Sequence, residues 1–188
     1  MNPVQDRPSA ETRPRSRRDS IVLGLSLGLG LFALALDQWT KFIVEHGFRL
    51  GESRPVLEPF FSLTFVRNEG AAWSILTGHG WLLLLIAGLV TAAVVWQFRK
   101  LTEGYAERCF ALILVLGGVA GNSIDRLCRG AVVDFFDFHW YTRFRWPVFN
   151  VADIAICVGI GLFVLSTLLR PAKKKAPEAE KSESSPDA

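Results

Sequence analysis

Residues 21–44 read IVLGLSLGLGLFALALDQWTKFIV, an apolar run that contains Asp37 and Lys41 close to its end. Its length suits a helix that crosses the hydrocarbon core of a membrane, which needs ~17–25 residues. A charged side chain at such depth costs roughly 2.5–3.5 kcal/mol at the centre of a helix. The run therefore predicts a membrane-spanning helix with functional charged residues near one of its ends.

Three further runs have the same apolar character, at 81–98, 109–125 and 148–169. Half of the 188 residues are hydrophobic, whereas both ends of the chain are polar. We predict an all-α membrane protein with four transmembrane helices in one domain at 21–170, because the length leaves no room for a second globular domain. The tails at 1–20 and 171–188 lack apolar residues to bury and are predicted to be disordered.

Basic residues indicate how these helices are oriented in the membrane. They cluster before the first run, between the second and third, and after the fourth: Arg13, Arg15, Arg17, Arg18, Arg99, Lys100, Arg108, Arg170, Lys173, Lys174 and Lys175. By the positive-inside rule, both tails are cytoplasmic and the loops at 45–80 and 126–148 lie outside. The net charge of +3 does not indicate a nucleic-acid partner, because these residues lie at helix ends without interleaved stacking aromatics.

This topology brings polar residues from separate helices to one level of the membrane, near its outer face. They end the first and third helices, begin the fourth, or lie in the loop before it: Asp37, Lys41, Asn122, Asp125, Arg126, Asp134, Asn150 and Asp153. A random scatter of carboxylates would not be expected to gather in this way. Because each is costly at such depth, this level is the candidate functional site.

The two outer loops differ in pattern. In the first, Phe61, Leu63 and Phe65 alternate with other residues, which predicts a strand with one apolar face. A turn at 51–53 could return it along an earlier strand, so we expect a small extracytoplasmic β-sheet on the membrane surface. The second loop, at 134–149, is crowded with aromatic residues that suit the headgroup region of the membrane.

Two carboxylates that share a proton can cut a peptide bond, because one accepts a proton from water while the other donates to the carbonyl. Two such groups a few ångströms apart cannot both ionise, so their pKa values split. The residues favour Asp153 as one member and leave its partner open among Asp37, Asp125 and Asp134. The repeated Asn-x-x-Asp spacing around Asp125 and Asp153 invites a symmetric pair on two helix faces.

Other chemistries find little support in the sequence. Three scattered histidines suggest no base for a nucleophile: His46, His79 and His139. Three cysteines lack the CxxC spacing typical of metal or redox sites: Cys109, Cys128 and Cys157. We therefore expect no metal, no disulfide and no cofactor.

Three alternative interpretations were considered. A secretory signal peptide would end earlier, whereas the first run continues through Phe42, Ile43 and Val44. An ion-coupled transporter would also use intramembrane carboxylates, but it needs polar groups across the whole depth, and the second and fourth helices have few in their inner halves. A structural membrane subunit would leave the polar clusters without a purpose.

Five motifs follow one another along the chain: DQWTK at 37–41, NEGAA at 68–72, GGVAGNSIDR at 117–126, VVDF at 132–135 and FNVAD at 149–153. In this order they resemble bacterial lipoprotein signal peptidase (signal peptidase II), over about residues 20–170. The resemblance implies a four-helix aspartyl endopeptidase of the inner membrane, with its active site near the periplasmic face. The implied substrates are prolipoproteins whose Cys carries a diacylglyceryl thioether, and cleavage just before that Cys releases the signal peptide.

The same resemblance implies roles for individual residues. The implied catalytic pair is Asp134 and Asp153. Five further residues match site-lining or substrate-binding positions: Asn68, Gly70, Asn122, Arg126 and Asn150. Three match positions that hold the site together: Asp37, Lys41 and Asp125. Trp73 departs from the Phe that the family usually has, and Asp137, whose neighbours match no motif, is expected to face water. No cofactor or metal is implied, and the expected form is a monomer in contact with membrane lipid.

Overall fold

A computed structural model describes residues 17–70, 76–140 and 144–170. Within these ranges four helices are long and apolar enough to cross a membrane: α1 (Arg17–Gly47), α2 (Gly80–Thr102), α3 (Ala106–Arg129) and α4 (Val151–Leu169). The predicted all-α membrane fold with a small sheet is therefore confirmed. Residues 17–20, which we assigned to the first tail, are helical, and the rest of both predicted tails lies outside the described residues.

The helix ends differ from the apolar runs for local reasons. The helix α3 continues past its predicted end at residue 125 to Arg129 and stops at Gly130, whose φ of 75° is a backbone conformation that glycine adopts readily. The helix α4 begins at Val151 rather than at 148, because Asn150 caps it. The Asn150 side chain accepts a hydrogen bond from the backbone of Asp153, and the Asp153 side chain accepts one from the backbone of Asn150.

The helix α3 lies at the centre of the bundle and contacts α1, α2 and α4. Glycines allow the close approach, because a Cβ atom at Gly117 would lie 2.8 Å from the Gly30 carbonyl oxygen on α1. A Cβ atom at Gly159 on α4 would lie 2.7 Å from the Ala111 carbonyl oxygen on α3. Small residues at helix contacts are typical of membrane proteins, in which packing rather than water exclusion drives helix association.

Four antiparallel strands form a sheet in the order β1-β2-β3-β4: β1 (Ser53–Leu57), β2 (Phe61–Asn68), β3 (Val132–Trp140) and β4 (Phe144–Arg145). The strands β1 and β2 confirm the sheet predicted from the first outer loop. The strand β3 corrects the second prediction, because Asp134 lies in this strand and not in a loop. The β-branched and aromatic residues around Asp134 suit a strand, and Asp134 pairs with Val66 of β2.

A buried apolar cluster joins the sheet to the end of α1. It consists of Val44 from α1, Phe65 from β2, and Val133 and Phe135 from β3, each no more than 5 % exposed. Since these side chains come from three separate elements, the cluster holds the sheet against the same end of the bundle at which the charged residues of α1 lie.

A buried network of charges lies at that end of the bundle and joins α1 to α3. The Lys41 side chain is fully buried, and its Nζ lies 2.8 Å from Asp37 Oδ2 and 2.8 Å from Asp125 Oδ2. Asp125 Oδ1 in turn accepts hydrogen bonds from Arg129 Nη1 at 2.7 Å and Gln38 Nε2 at 3.0 Å. Such charges are tolerated in a buried place because they are paired and hydrogen-bonded.

The same network reaches the two remaining parts of the structure. Asp37 Oδ1 accepts a hydrogen bond from the backbone N–H of Ala152 in α4, at 2.8 Å. Asp125 Oδ2 accepts one from the backbone N–H of Val133 in β3, at 3.1 Å. Two carboxylates held by one ammonium group thus connect α1, α3, α4 and the sheet.

We expect Lys41→Met to destabilise the protein by about 3–5 kcal/mol, because it leaves two buried carboxylates without their shared partner. The measurement is chemical or thermal unfolding in detergent, followed by loss of helical signal. The matched control is Glu52→Gln, which removes the charge of the solvent-exposed pair with Arg54 and should leave the stability almost unchanged. Equal stabilities of wild type and Lys41→Met would contradict the role given to the network.

Candidate active site

Asp134 is a buried carboxylate in the middle of the polar region, 2 % exposed. The strand β3 presents it to the ends of the helices. Its Oδ1 accepts a hydrogen bond from Asn150 Nδ2 at 2.7 Å, and its Oδ2 accepts one from Asn68 Nδ2 at 3.0 Å. Both oxygens are therefore held by neutral amides from two different elements.

Asp153 lies in the first turn of α4 and is half-buried. Its Oδ1 accepts a hydrogen bond from Asn122 Nδ2 of α3 at 2.8 Å. Its Oδ2 accepts the backbone N–H of Asn150 at 3.2 Å, as part of the cap that begins the helix. The helix cap thus sets the position of this carboxylate.

Two amide side chains connect the two carboxylates. Asn150 Nδ2, which donates to Asp134, also donates to Asn122 Oδ1 at 3.1 Å. Asn122 Oδ1 accepts a second hydrogen bond from Lys41 Nζ at 3.0 Å, so its Nδ2 must turn to Asp153. In the same way Asn150 Oδ1 accepts the backbone N–H of Asp153 at 3.0 Å, which turns its Nδ2 to Asp134.

The electrostatic setting favours one proton on this pair. Burial raises the pKa of Asp134 to about 7, and the negative charge of Asp153 acts in the same direction. Hydrogen bonds from Asn68 and Asn150 and the charge of Lys41 oppose this rise without cancelling it. A carboxyl that stays protonated near neutral pH beside a second carboxylate is the arrangement used for acid–base catalysis.

Arg126 lines the cavity with the two carboxylates, whereas Gly70 does not line it and is held through its backbone. Arg126 Nη2 donates to the Gly70 carbonyl oxygen at 2.9 Å, and Nη1 donates to the Asn122 carbonyl oxygen at 3.3 Å. The Gly70 N–H donates to Asn68 Oδ1 at 3.0 Å, so the Gly70 backbone is held on both sides. Arg126 Nε is buried and has no hydrogen-bond partner among the described residues. Trp73 lies outside them.

A cavity of about 870 Å³ opens beside these groups. Its polar lining includes both carboxylates and the side chains around them: Asn68, Asn122, Arg126, Asp134 and Asp153. Val66 of β2 and Val132 of β3 line it too, but most of its apolar lining comes from the segment before α4 and from α4 itself: Trp146, Pro147, Val148, Phe149, Ile154, Ile156 and Val158. The cavity can therefore hold an extended chain with apolar groups on one side and two carboxylates on the other.

The remaining candidates of the sequence analysis lie behind the cavity wall. Asp37, Lys41 and Asp125 do not line the cavity, and each is fully buried within the charge network. The structure therefore does not bring Asp125 into the cavity with Asp153, as the symmetric pair would require. Asp125 is held by Lys41 and Arg129, whereas Asp134 shares the cavity with Asp153.

Asp137 was expected to face water, and that expectation is wrong. Its side chain is 1 % exposed and accepts a hydrogen bond from Thr64 Oγ1 at 2.7 Å, as well as hydrogen bonds from Arg145. The missed signal was the period of two along β3, which puts Asp137 on the same face as the buried Val133 and Phe135.

Comparison with known proteins identifies the family of this chain. A family model described as signal peptidase (SPase) II matches residues 29–169. A lipoprotein signal peptidase of Halalkalibacterium halodurans is 44 % identical over 151 residues, covering 78 % of this chain and 95 % of the relative. The lipoprotein signal peptidase of Actinobacillus succinogenes is 43 % identical over 160 residues, covering 82 % and 96 %. That of Bacillus subtilis is 40 % identical over 147 residues, covering 78 % and 95 %.

Solved structures of bacterial membrane enzymes have the same fold. A bacterial membrane enzyme determined at 2.3 Å resolution superposes with a TM-score of 0.74 at 33 % identity, covering 84 % of this chain and 95 % of that chain. A second, determined at 1.9 Å resolution, has a TM-score of 0.70 at 34 % identity and covers 79 % and 95 %. With the family model spanning all four helices and relatives above 40 % identity, the chain belongs to the signal peptidase II family of aspartic peptidases.

Proposed function

We propose that Asp134 and Asp153 are the catalytic pair with which this signal peptidase II cleaves prolipoproteins, just before a Cys that carries a diacylglyceryl group. The observation that supports this most directly is the amide bridge, in which Asn150 and Asn122 hold the two carboxylates beside one cavity. A membrane peptidase of this family needs two carboxylates and a water molecule. Asp134 and Asp153 are carboxylates that both line the cavity and are connected by the amide bridge.

The pair would act by sharing one proton. We assign that proton to Asp134, because burial and the charge of Asp153 raise its pKa to about 7. Asp153 takes a proton from water as the water oxygen attacks the scissile carbonyl carbon, while Asp134 donates its proton to the carbonyl oxygen. Asp153 then passes its new proton to the leaving nitrogen while Asp134 takes a hydroxyl proton from the tetrahedral intermediate, so the C–N bond breaks and the proton is back on Asp134.

The form of the cavity suits a lipid-modified chain. Its apolar wall continues along α4 through Ile154, Ile156 and Val158, and so runs from the carboxylates towards the depth of the membrane. Acyl chains on the substrate would lie in lipid beside this wall and hold the modified Cys at headgroup level. The scissile bond just before that Cys would then lie at the level of Asp134 and Asp153.

We further propose that the sheet and the site face the periplasm, with both tails in the cytoplasm of a monomer in the inner membrane. Arginine and lysine residues lie at the opposite end of the bundle from the site: Arg17, Arg18, Arg99, Lys100, Arg108 and Arg170. Ion pairs occur at both ends, since Arg108 pairs with Glu103 at the tail end and Arg54 pairs with Glu52 at the sheet end. In the sequence, 13 of the 21 Lys and Arg residues lie at 1–20, 99–108 and 170–188, and this excess at the tail end favours the cytoplasm.

Asp134→Asn and Asp153→Asn should each lower the turnover of a diacylglyceryl-modified prolipoprotein by at least ~10²–10⁴-fold, because the amide removes the proton transfer and keeps nearly the same shape. Cleavage by purified protein, followed by gel shift, measures this. The matched control is Glu69→Gln, a carboxylate that lines the same cavity but is exposed. Near-normal turnover by Asp134→Asn would remove Asp134 from the pair.

We expect kcat/KM to fall with rising pH around pH 7, because Asp134 loses its proton above its pKa of about 7 and can no longer act as the acid. Asn68→Ala should move this fall to higher pH, because the Asn68 amide stabilises the ionised carboxylate and its loss lets the proton stay longer. The measurement is a pH profile of kcat/KM for both proteins. A fall centred near pH 4, or a shift to lower pH in Asn68→Ala, would be inconsistent with this assignment.

Labelling of single cysteines checks the orientation. In a background with Cys128→Ser and Cys157→Ser, Val56→Cys in the exposed strand β1 should react with an impermeant thiol reagent added to intact spheroplasts. Lys100→Cys, in the exposed last turn of α2, should react only after the membrane is opened. Reaction of Lys100→Cys in intact spheroplasts would reverse the proposed topology.

A further inference from the structure

A buried carboxylate remains that the proposed chemistry does not use. Asp137 lies on β3, three residues after Asp134, and is 1 % exposed. Since successive side chains of a strand point to opposite faces, Asp137 lies on the face of the sheet that is turned away from Asp134. An ionisable group at such a place needs partners, and its partners indicate what it does.

The side chain of Asp137 contacts β2 and β4, and through Thr64 it is connected to β1. Thr64 Oγ1 of β2 donates to Asp137 Oδ2 at 2.7 Å, and the same hydroxyl lies 2.8 Å from Ser53 Oγ of β1. From β4, Arg145 Nε donates to Asp137 Oδ1 at 3.0 Å, and Arg145 Nη2 donates to Oδ2. Arg145 thus forms a bidentate pair with the carboxylate, which fixes the orientation of both groups.

Asp137 and Arg145 are both ionised. Burial acts to raise the pKa of Asp137, but hydrogen bonds from Arg145 and Thr64 outweigh it and leave the pKa below its usual value. The hydrogen bond to Asp137 raises the pKa of Arg145 in turn, against the effect of its own desolvation. Removal of Arg145 would therefore leave a buried negative charge without its main partner.

The strand β4 leads directly into the wall of the cavity. It has two residues, Phe144 and Arg145, which pair with Trp140 and His139 of β3. The next four residues, 146–149, line the cavity, and the Trp146 N–H donates to the Phe138 carbonyl oxygen at 2.8 Å. So short a strand gains little from backbone pairing alone, which makes its side-chain contacts important for its position.

Arg145 and Trp146 are neighbours in an extended segment, so their side chains point to opposite faces. When Arg145 is bound to Asp137 on one face, Trp146 is turned to the cavity on the other. A change in the position of Arg145 would therefore move the wall of the cavity, although it would leave Asp134 and Asp153 on their own amide partners.

We propose that the ion pair of Asp137 and Arg145 is a latch that positions the cavity wall at 146–149 and thereby determines how tightly substrate binds. The two are positioning residues, since neither touches the reacting atoms. The inference rests on the proposed function, because it takes the cavity beside Asp134 and Asp153 to be the substrate site. The proposed latch changes KM, whereas a purely structural role would change stability and kcat.

Arg145→Ala should raise KM for a diacylglyceryl-modified peptide by ~10-fold and leave kcat within about 2–3-fold, since an effect on binding alone appears in KM. Arg145→Lys should give an intermediate KM, because a single ammonium replaces two nitrogens. The matched control is Arg54→Ala. Arg54 is a sheet arginine of similar exposure, but its carboxylate partner Glu52 is itself partly exposed and neither residue lines the cavity.

A disulfide can replace the latch in the same place. His139 and Arg145 lie directly opposite each other on β3 and β4, at a separation of about 4.5–5.5 Å that a disulfide can span. His139→Cys/Arg145→Cys should have a raised KM when reduced and a KM near that of wild type when oxidised. Wild type, given the same oxidation and reduction, controls for the native cysteines, and His139→Cys alone controls for the loss of the histidine.

Binding of the same peptide to Asp134→Asn, with and without Arg145→Ala, measures the latch without turnover. If Arg145→Ala weakens binding of the peptide ~10-fold, the latch is supported. Absence of cleavage by the wild type would overturn the proposed function but not the latch. Equal binding by the two proteins would overturn the latch while leaving the catalytic pair untouched. A loss of kcat and thermal stability at unchanged KM would also overturn it, because the pair would then serve only the fold.

Discussion

The structure depends on one buried ammonium group. Lys41 Nζ pairs with Asp37 and Asp125 and donates to Asn122, and each of these contacts holds a different part of the structure. The two carboxylates join α1 to α3, α4 and the sheet, whereas the contact to Asn122 orients an amide that faces Asp153. A charged group that is costly to bury therefore serves the packing of the bundle and the geometry of the site together.

The site is made where two kinds of secondary structure meet. A strand presents Asp134 and a helix cap presents Asp153, and neither element alone could bring the two carboxylates to one cavity. The amides of Asn122 and Asn150 bridge the gap without adding charge. A bridge made of cations would hold both carboxylates in the ionised state, whereas neutral donors leave room for the raised pKa of Asp134.

Much of the fold could be predicted from local pattern, and the rest depended on contacts that are distant along the chain. Apolar run length predicted the four helices, and the alternation at Phe61, Leu63 and Phe65 predicted β2, because both are properties of consecutive residues. The proposed partner of Asp153 could not be chosen by spacing, since Asn-x-x-Asp is a helix rule and Asp134 lies on a strand. The resemblance to a known family supplied that residue. The contact of Lys41 with Asn122 joins residues 81 positions apart, so no local pattern indicates it. The period of two along β3 does indicate that Asp137 is buried, but it does not indicate that Arg145 of β4 is its partner.

Asn150 begins α4 with its oxygen and holds Asp134 with its nitrogen, so one side chain belongs to a helix end and to the proposed catalytic pair. Asn150 is fully buried and does not line the cavity, so a substitution there acts through these two contacts. Aspartate would keep the helix cap but add a third negative charge beside the pair, and serine would keep the cap but fall short of Asp134. The start of the helix and the setting of the proposed pair therefore cannot be altered separately at this position.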